Sequence, residues 1–394
     1  MSATTNETSD TGGLPPPRPR HHKGIYDALV IGGGLVGSAI AFGLRQKVEH
    51  VAVLDEGDIA FRASRGNFGL VWVQSKGMGM PAYGHWTMSS QQLWPTLARL
   101  LQELTGLEVG LEQKGGLHPV LTEEEYEERI KFMNGLLSQP GMVQYDWKML
   151  DRHELADLVP GIGPEVRGAT WTSVDGVANP LKMLRALHTA FDKQKLDYLP
   201  LHPVDDIEKK NGVFELTTPY GVIRANKIVL ASGLNNQKLG EKIGLAIPVR
   251  PQRGQIVVLE RTRRILHTPF STLRQMDEGT WLIGDSQEEA GYADGMVGLP
   301  VLATLADRAV RTIPALKEVR VVRSWSALRV MSKDGFPIYE QSTSHPGAFV
   351  ATCHSGVTLA AAHALRIAPM VIDGALPEVM SPFSTRRFHV QQAA

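Results

Sequence analysis

The stretch Tyr26-Asp27-Ala28-Leu29-Val30-Ile31-Gly32-Gly33-Gly34-Leu35-Val36-Gly37, then a helix-forming run, then Val51-Ala52-Val53-Leu54-Asp55, decides the fold. An apolar, β-branched run enters a glycine-dense turn, a helix follows, and a second apolar strand ends in a carboxylate. That is a βαβ unit with G-x-G-x-x-G at Gly32, Gly34 and Gly37. Gly32 permits the tight turn, and Gly34 removes the Cβ that would keep backbone N–H groups from a pyrophosphate. Gly37 lets the helix lie close on the strand. The helix start, with its unsatisfied N–H groups and positive dipole end, faces the phosphates. Asp55 falls about 20 residues further on, where an acid accepts hydrogen bonds from the adenosine ribose. Gly33, Val36 and Glu56 are counted with this loop as cofactor contacts. The fingerprint alone does not separate NAD from FAD, and a structural turn without ligand is its bland alternative.

The 394-residue chain is long enough for two domains with proper cores. Its formal net charge is zero, so no basic field for nucleic acid or an anionic membrane is implied. Cys353 is the single cysteine, which excludes a disulfide framework, a Cys-ligated zinc site and an iron–sulfur cluster held by this chain. No apolar run reaches 18 residues, so no transmembrane helix is expected, and no metal site stands out. Residues 1–24 are rich in Ser, Thr and Pro and lack the apolar core of a signal peptide. They read as a disordered leader on a cytoplasmic protein, with His21-His22 part of a solvated tail.

Beyond Asp55, the small, polar loop Arg62-Ala63-Ser64-Arg65-Gly66-Asn67-Phe68-Gly69 is long enough to wrap a pyrophosphate and ribityl chain, or to be an ordinary surface loop. Helical spacing follows over 84–104, and Thr122-Glu123-Glu124-Glu125 reads as a capping box opening another helix with a solvated acidic face. Asp151–Leu158 reads as a short helix stopped by Pro160. Asp175-Gly176 and Asn179-Pro180 are turn signals before an amphipathic helix over 181–192. A stretch around Val204 precedes a strand pair at 214–218 and 221–224. The buried-type strand Lys227–Ala231 then ends in Ser232-Gly233, a small-residue turn at a strand's carboxyl end, where ligands gather in open α/β sheets. Residues 250–260 and 280–284 read as antiparallel strands, and 299–310 as a helix.

The last block holds Arg329, the turn Asp334-Gly335-Phe336-Pro337, the strand Ala348–Thr352, then Cys353-His354-Ser355-Gly356 and a small-residue helix from Val357 to about Ile372. A helix start aimed at a flavin would stabilise negative charge collecting at its N1/O2 edge. A second G-x-G-x-x-G, expected of a flavoenzyme reduced by NAD(P)H, is absent, so electrons are expected from an organic substrate.

These blocks, in this order, resemble the D-amino-acid-oxidase superfamily of FAD enzymes, within it the glycine/sarcosine oxidase branch and the bacterial opine oxidase and D-hydroxyproline dehydrogenase β subunits. The matching pieces are the fingerprint with Asp55, Ala63–Asn67, Asp175-Gly176 with Asn179-Pro180, Val229–Gly233, Arg253-Gly254-Gln255, Leu328-Arg329 leading to Asp334–Pro337, and His354–Ala360. The resemblance implies an α/β fold with an α+β second domain. A discontinuous Rossmann-type FAD-binding domain would take residues 25–84, 165–240 and 325–394, and an antiparallel-sheet substrate domain 85–164 and 241–324. It implies that the fingerprint glycines, Asp55, Ser64, Arg65, Asn67, Val204, Ser232 and Gly233 contact FAD, with Ser355, Gly356, Val357 and Thr358 at the isoalloxazine pyrimidine edge. Arg329 would hold the substrate carboxylate, as a planar guanidinium does bidentately; an interdomain ion pair is its alternative. His354 would touch the flavin or brace the turn.

The chain departs from that pattern at three places. Val330 replaces a proline after the arginine. No cysteine stands where sarcosine oxidases attach flavin, so FAD is expected to be non-covalent. The strand Thr280–Gly284 lacks the oxygen-activating lysine, which puts oxygen in doubt as the acceptor. The reaction implied is oxidation of the C–N bond of an amino acid or N-substituted amino acid, such as a D-amino acid, a glycine or sarcosine, or an opine. Hydride passes to flavin N5 and the imine then hydrolyses. No protein nucleophile or metal is required. The rivals are an NAD-dependent dehydrogenase and a flavin-bearing subunit inert without its partner; both homo-oligomer and hetero-oligomeric dehydrogenase subunit are compatible with the sequence. Substrate selectivity is expected in the roof, around 78–90 and 245–295, with Arg274 and Tyr292 as candidates.

Overall fold

The computed structural model describes residues 24–57, 62–284, 286–291 and 296–388. The leader, including His21-His22, and Tyr292 lie outside them. At the centre stands β1 (Ile25–Ile31), then α1 (Leu35–Arg45) and β2 (Val51–Leu54). β1 pairs in parallel with β2 on one side and with the strand Gly221–Leu230 on the other, and that strand pairs in parallel with Ala348–Thr352. Asp197–Leu199 and Ile338–Gln341 flank the row, and a hairpin of Asp206–Lys210 and Val213–Thr218 completes eight strands. Alternate residues of β1 serve two cores. Ala28 and Val30 face α1 and the helix Pro180–Gln194, while Leu29 and Ile31 face Leu199, Phe214 and Ile243. Burial on both faces is why β1 reads as an unbroken apolar run rather than an alternating one.

The hairpin strand read over 221–224 and the buried strand read over 227–231 are one strand. Gly221–Leu230 pairs antiparallel with Val213–Thr218 through its first half and parallel with β1 from Arg224 onward. The carboxyl ends align: Ile31 stands beside Leu54 and Leu230, and Leu230 beside Val350. All the turns that follow these strands therefore open on one crevice.

A second, antiparallel sheet comprises Val249–Arg261, Leu273–Gln275, Thr280–Ile283, Glu288–Glu289 and Val321–Ser332. Val321–Ser332 is one unbroken strand paired with Val249–Leu259, so the domain boundary expected at 324/325 falls inside it. A three-stranded sheet of Gly116–Val120, Gly168–Thr172 and Lys148–Asp151 likewise takes its central strand from beyond the boundary expected at 165.

The long helix α2 (Pro81–Thr105) starts three residues before the expected position, with proline in its first turn. Tyr83, Trp86, Ser90, Trp94, Leu97 and Leu101 recur at helical spacing and form its buried face. Pro95 within it cannot donate to the carbonyl of Gln91, and the Gln113 side-chain amide does so instead at 2.8 Å. Ser90 in turn shapes the last helix. Its hydroxyl donates to Thr358 O (2.7 Å) and accepts Ala362 N–H (3.1 Å), standing between two groups that would otherwise close a helical turn. Regular helix therefore begins at Ala360, not Val357, and runs through a π-turn at His363–Ile367 to Asp373.

At Thr122 the hydroxyl caps Glu125 N–H, but the Glu125 carboxylate turns to Leu121 N–H and a two-pronged pair with Arg308. The acidic helix start is thus partly engaged rather than wholly solvated. Asp151 and Glu154 do form a full capping box.

Candidate active site

One cavity of about 1230 Å³ runs from the glycine turn to the Arg329 and His354 end. Pockets for a single small ligand occupy about 300–1,000 Å³, so this one has room for a dinucleotide and a substrate together. Gly32, Gly34, Val36, Asp55 and Glu56 line its first part. Gly37 and Gly33 lie behind the wall. A Cβ on Gly37 would stand 1.9 Å from Gly32 O, so this glycine is required by the close contact of α1 with its own turn. The Asp55 carboxylate accepts Gly33 N–H (2.6 Å), Gly57 N–H (3.0 Å) and Arg62 Nη1 (3.0 Å), bracing the turn from the end of β2. Glu56 pairs with Arg62 (3.2 Å) and accepts from Asn235 (2.8 Å).

Ser64 Oγ accepts Leu35 N–H at 2.8 Å and stands 2.9 Å from where a Gly34 Cβ would be, at the start of α1. Asn67 lines the cavity and closes a turn on Gly69 N–H (2.7 Å). Arg65 lines a small groove behind the turn and not the main cavity. Val204, Ser232 and Gly233 line the cavity, and both the N–H and hydroxyl of Ser232 are held by Asn236 Oδ1 (2.9 and 2.7 Å).

The far end is built by the turn after Ala348–Thr352, where Ser355, Gly356, Val357 and Thr358 all line the cavity. Thr358 Oγ1 donates to Leu70 O (3.0 Å), and Trp94 Nε1 donates to the carbonyls of Val357 and Thr358 (3.2 Å each). These three hydrogen bonds pin the turn at the end of the cavity. Arg329 lies on the strand Val321–Ser332. Its Nη1 donates to Ser286 O (2.8 Å) and Arg253 O (3.3 Å), and its guanidinium covers Gly254, where a Cβ would stand 2.3–2.6 Å from it. The glycine of the Arg253-Gly254-Gln255 motif is what admits this side chain. Burial, followed by the charges of Lys76 and Arg329, pushes His354 well below the usual histidine range, so its imidazole is neutral at pH 7.

Arg274, a candidate for selectivity, does not line the cavity. It is buried, and its Nη1 clamps the carbonyls of Phe68, Gly69 and Ala178 at 3.0–3.1 Å. The residue that sequence reading missed is Lys76, which enters the cavity beside His354 Nε2 (3.3 Å) and Ser355 Oγ (3.4 Å). Trp72 and Trp325 were missed as well. The only local signal for Lys76 was the polar Gln74-Ser75-Lys76 run directly after the apolar Leu70–Val73. Among the described residues no group of three or more His, Cys, Asp or Glu could hold a metal ion, and no helix is long and apolar enough to cross a membrane.

A parallel sheet with a glycine turn and an acid at its carboxyl edge, roofed by an antiparallel sheet that adds an arginine, defines a dinucleotide-dependent oxidoreductase. The family model described as DAO, FAD dependent oxidoreductase, matches residues 27–370, and the chain belongs to that family. It is 44% identical to an opine oxidase subunit from Agrobacterium tumefaciens (strain Ach5) over 367 residues, covering 93% of this chain and 99% of that one. It is 28% identical to glycine oxidase of Geobacillus kaustophilus (strain HTA426) over 372 residues, 92% and 97% of the two chains. The crystal structure of glycine oxidase from Geobacillus kaustophilus matches with a TM-score of 0.83 at 26% identity, over 91% of this chain and 98% of that chain. The protein is thus an FAD-dependent oxidoreductase of amines or amino acids, and the NAD-dependent alternative falls.

Proposed function

We propose that this chain oxidises the C–N bond of an N-substituted amino acid of the opine type, holding FAD non-covalently, as the flavin-bearing member of a hetero-oligomer. The observation that carries the reading is the single cavity joining the glycine turn to Arg329 and His354. The relative named as one subunit of an opine oxidase supports both the substrate class and the need for a partner chain.

The residues present suit FAD. Gly32, Gly34 and Val36, with the start of α1, would hold the pyrophosphate, and Asp55 or Glu56 the ribose. Val204, Ser232, Gly233 and Asn67 would line the path between them, while Arg65 would serve the outer face of the turn. Ser355–Thr358 would meet the pyrimidine edge. Bound FAD supplies a two-electron acceptor for the bond being oxidised.

The chain's own residues then bind and orient. Arg329 would pair with the substrate carboxylate, while Ser286 O and Arg253 O hold the guanidinium plane. Neutral His354 presents a polar edge without adding charge beside the reacting amine. Trp72, Phe68, Trp325 and Ile256 make the walls apolar and restrict water there. Burial pushes the Cys353 thiol up to about 12, so at neutral pH it is a poor nucleophile toward a flavin ring.

The test is an anaerobic spectrum of the purified protein titrated with opines, sarcosine, hydroxyproline isomers and D-amino acids. Bleaching of a flavin band by secondary-amine amino acids is the expected result. A flavin bleached only by primary D-amino acids, or by none of these even with a partner chain present, refutes the reading.

A further inference from the structure

We propose that Lys76 is a second substrate-anchoring residue, placed to hold an anionic group on the N-substituent, so that the enzyme prefers secondary amines bearing two carboxylates. The proposal rests on the reading of the Arg329 end as the substrate site.

Lys76 and Arg329 reach one cavity from different walls. Lys76 comes from the segment that follows Leu70–Val71, Arg329 from the roofing strand Val321–Ser332, and the charges of both bear on the His354 imidazole between these walls. The described carboxylates lining the cavity, Asp55, Glu56 and Asp205, stand with the nucleotide turn and its neighbour Val204. Lys76 and Arg329 both line the reaction end of the cavity. A substrate with one carboxylate and a neutral amine uses one of these cations; an N-(carboxyalkyl) amino acid uses both.

The fold spends several buried interactions on placing this lysine. Ser75, immediately before it, has φ +76°, a left-handed conformation unusual for a side-chain-bearing residue. Arg129, itself buried, holds Ser75 Oγ (2.8 Å) and Gln74 Oε1 (2.8 Å). Asp175 Oδ1 accepts Val73 N–H (2.5 Å) and Gln74 N–H (3.2 Å). Gln74 is tied further to Thr170 and to Gly116 O. These ties fix the backbone on which Lys76 stands. A strained residue held by a buried arginine next to a cavity-lining lysine is an arrangement for aiming the lysine.

The experiment compares wild type, Lys76→Met and Lys76→Arg as FAD-loaded proteins. The probes are thiodiacetate, with sulfur where the amine stands and two carboxylates, and methylthioacetate, with one. Dissociation constants are read from flavin difference spectra, and anaerobic reduction is followed with iminodiacetate and sarcosine. Lys76→Met is expected to weaken thiodiacetate by about ten- to a hundredfold, the range of a lost charge-assisted hydrogen bond, and methylthioacetate by less than about twofold. Lys76→Arg restores most of the difference. Equal weakening of both probes, or of neither, while sarcosine still reduces the flavin, overturns the role of Lys76 and leaves the proposed function standing. A wild-type flavin that no amine reduces and neither probe perturbs overturns both.

Discussion

Gly254→Ala is the substitution that most sharply tests the substrate end. Its new methyl group would lie 2.3–2.6 Å from three atoms of the Arg329 guanidinium, far inside the roughly 3.5–4.0 Å of ordinary contact. Its three nearest neighbours are all atoms of that guanidinium, and Gly254 is not in the left-handed region, so alanine suits the backbone. The atoms that must yield are the tip of a flexible side chain. The strand pairing of Gly254 with Ala327 is undisturbed, and the melting temperature should shift by no more than a few degrees. On the proposed role of Arg329 the site suffers instead, because the displaced guanidinium leaves Ser286 O and can no longer meet a substrate carboxylate. A charge-assisted hydrogen bond is worth about 1.5–3 kcal/mol, which corresponds to a KM rise of roughly ten- to 150-fold. The assay is substrate-dependent flavin reduction in Gly254→Ala, Arg329→Leu and the double variant, with FAD content as control. The double variant should match Arg329→Leu, since the guanidinium that the methyl group displaces is then absent. An unchanged KM in Gly254→Ala, or a further full loss in the double variant, refutes the reasoning.

Three other outcomes are expected. Gly37→Ala should abolish FAD retention, because its Cβ would lie 1.9 Å from the backbone oxygen of Gly32; a stable, yellow variant would refute that packing account. Acid precipitation should release all flavin into the supernatant, and Cys353→Ser should keep the wild-type flavin content; colour in the pellet would show covalent attachment. Burial raises the Asp175 carboxyl from 3.8 to about 7, so stability present below pH 4 is lost as pH rises toward 7. The rise corresponds to on the order of 4 kcal/mol, and urea melts of Asp175→Asn should lack that slope; an identical slope in the variant would assign it to other groups.

What was legible in the sequence was whatever a short window determines. The βαβ unit, the small-residue turns at Ser232-Gly233 and Ser355-Gly356, and most helices depend on neighbours a few residues apart. The start of the last helix was misplaced because Ser90, some 270 residues distant, interrupts its first turn. The strand Gly221–Leu230 read as two because its halves meet different partners, which changes the burial pattern from alternating to continuous midway. Arg274 and Lys76 show the same limit for side chains. Both are isolated cations in polar runs, and only the fold sends one to three buried carbonyls and the other into the cavity.

The strand Val321–Ser332 explains why cofactor and substrate sites cannot be assigned to separate halves of the chain. Trp325 Nε1 donates to Gly66 O at 3.2 Å, and Ala327 packs so closely on Gly66 that a Cβ there would lie 2.4 Å from its methyl. Two residues on, Arg329 is held by the roofing sheet, and Val330 enters the core beneath the nucleotide sheet, against Gly233. One strand thus touches the loop after β2 at Trp325 and Ala327, carries Arg329 next, and meets the turn after Gly221–Leu230 at Val330. Because strand residues advance about 3.3 Å each, the spacing between these contacts is set by the backbone and not by flexible side chains. That rigidity places Arg329, the proposed carboxylate anchor, at a fixed distance from the loop that would wrap the cofactor. On that proposal a bound carboxylate would be held in one register along the cavity, which is the positioning that oxidation at a single carbon demands.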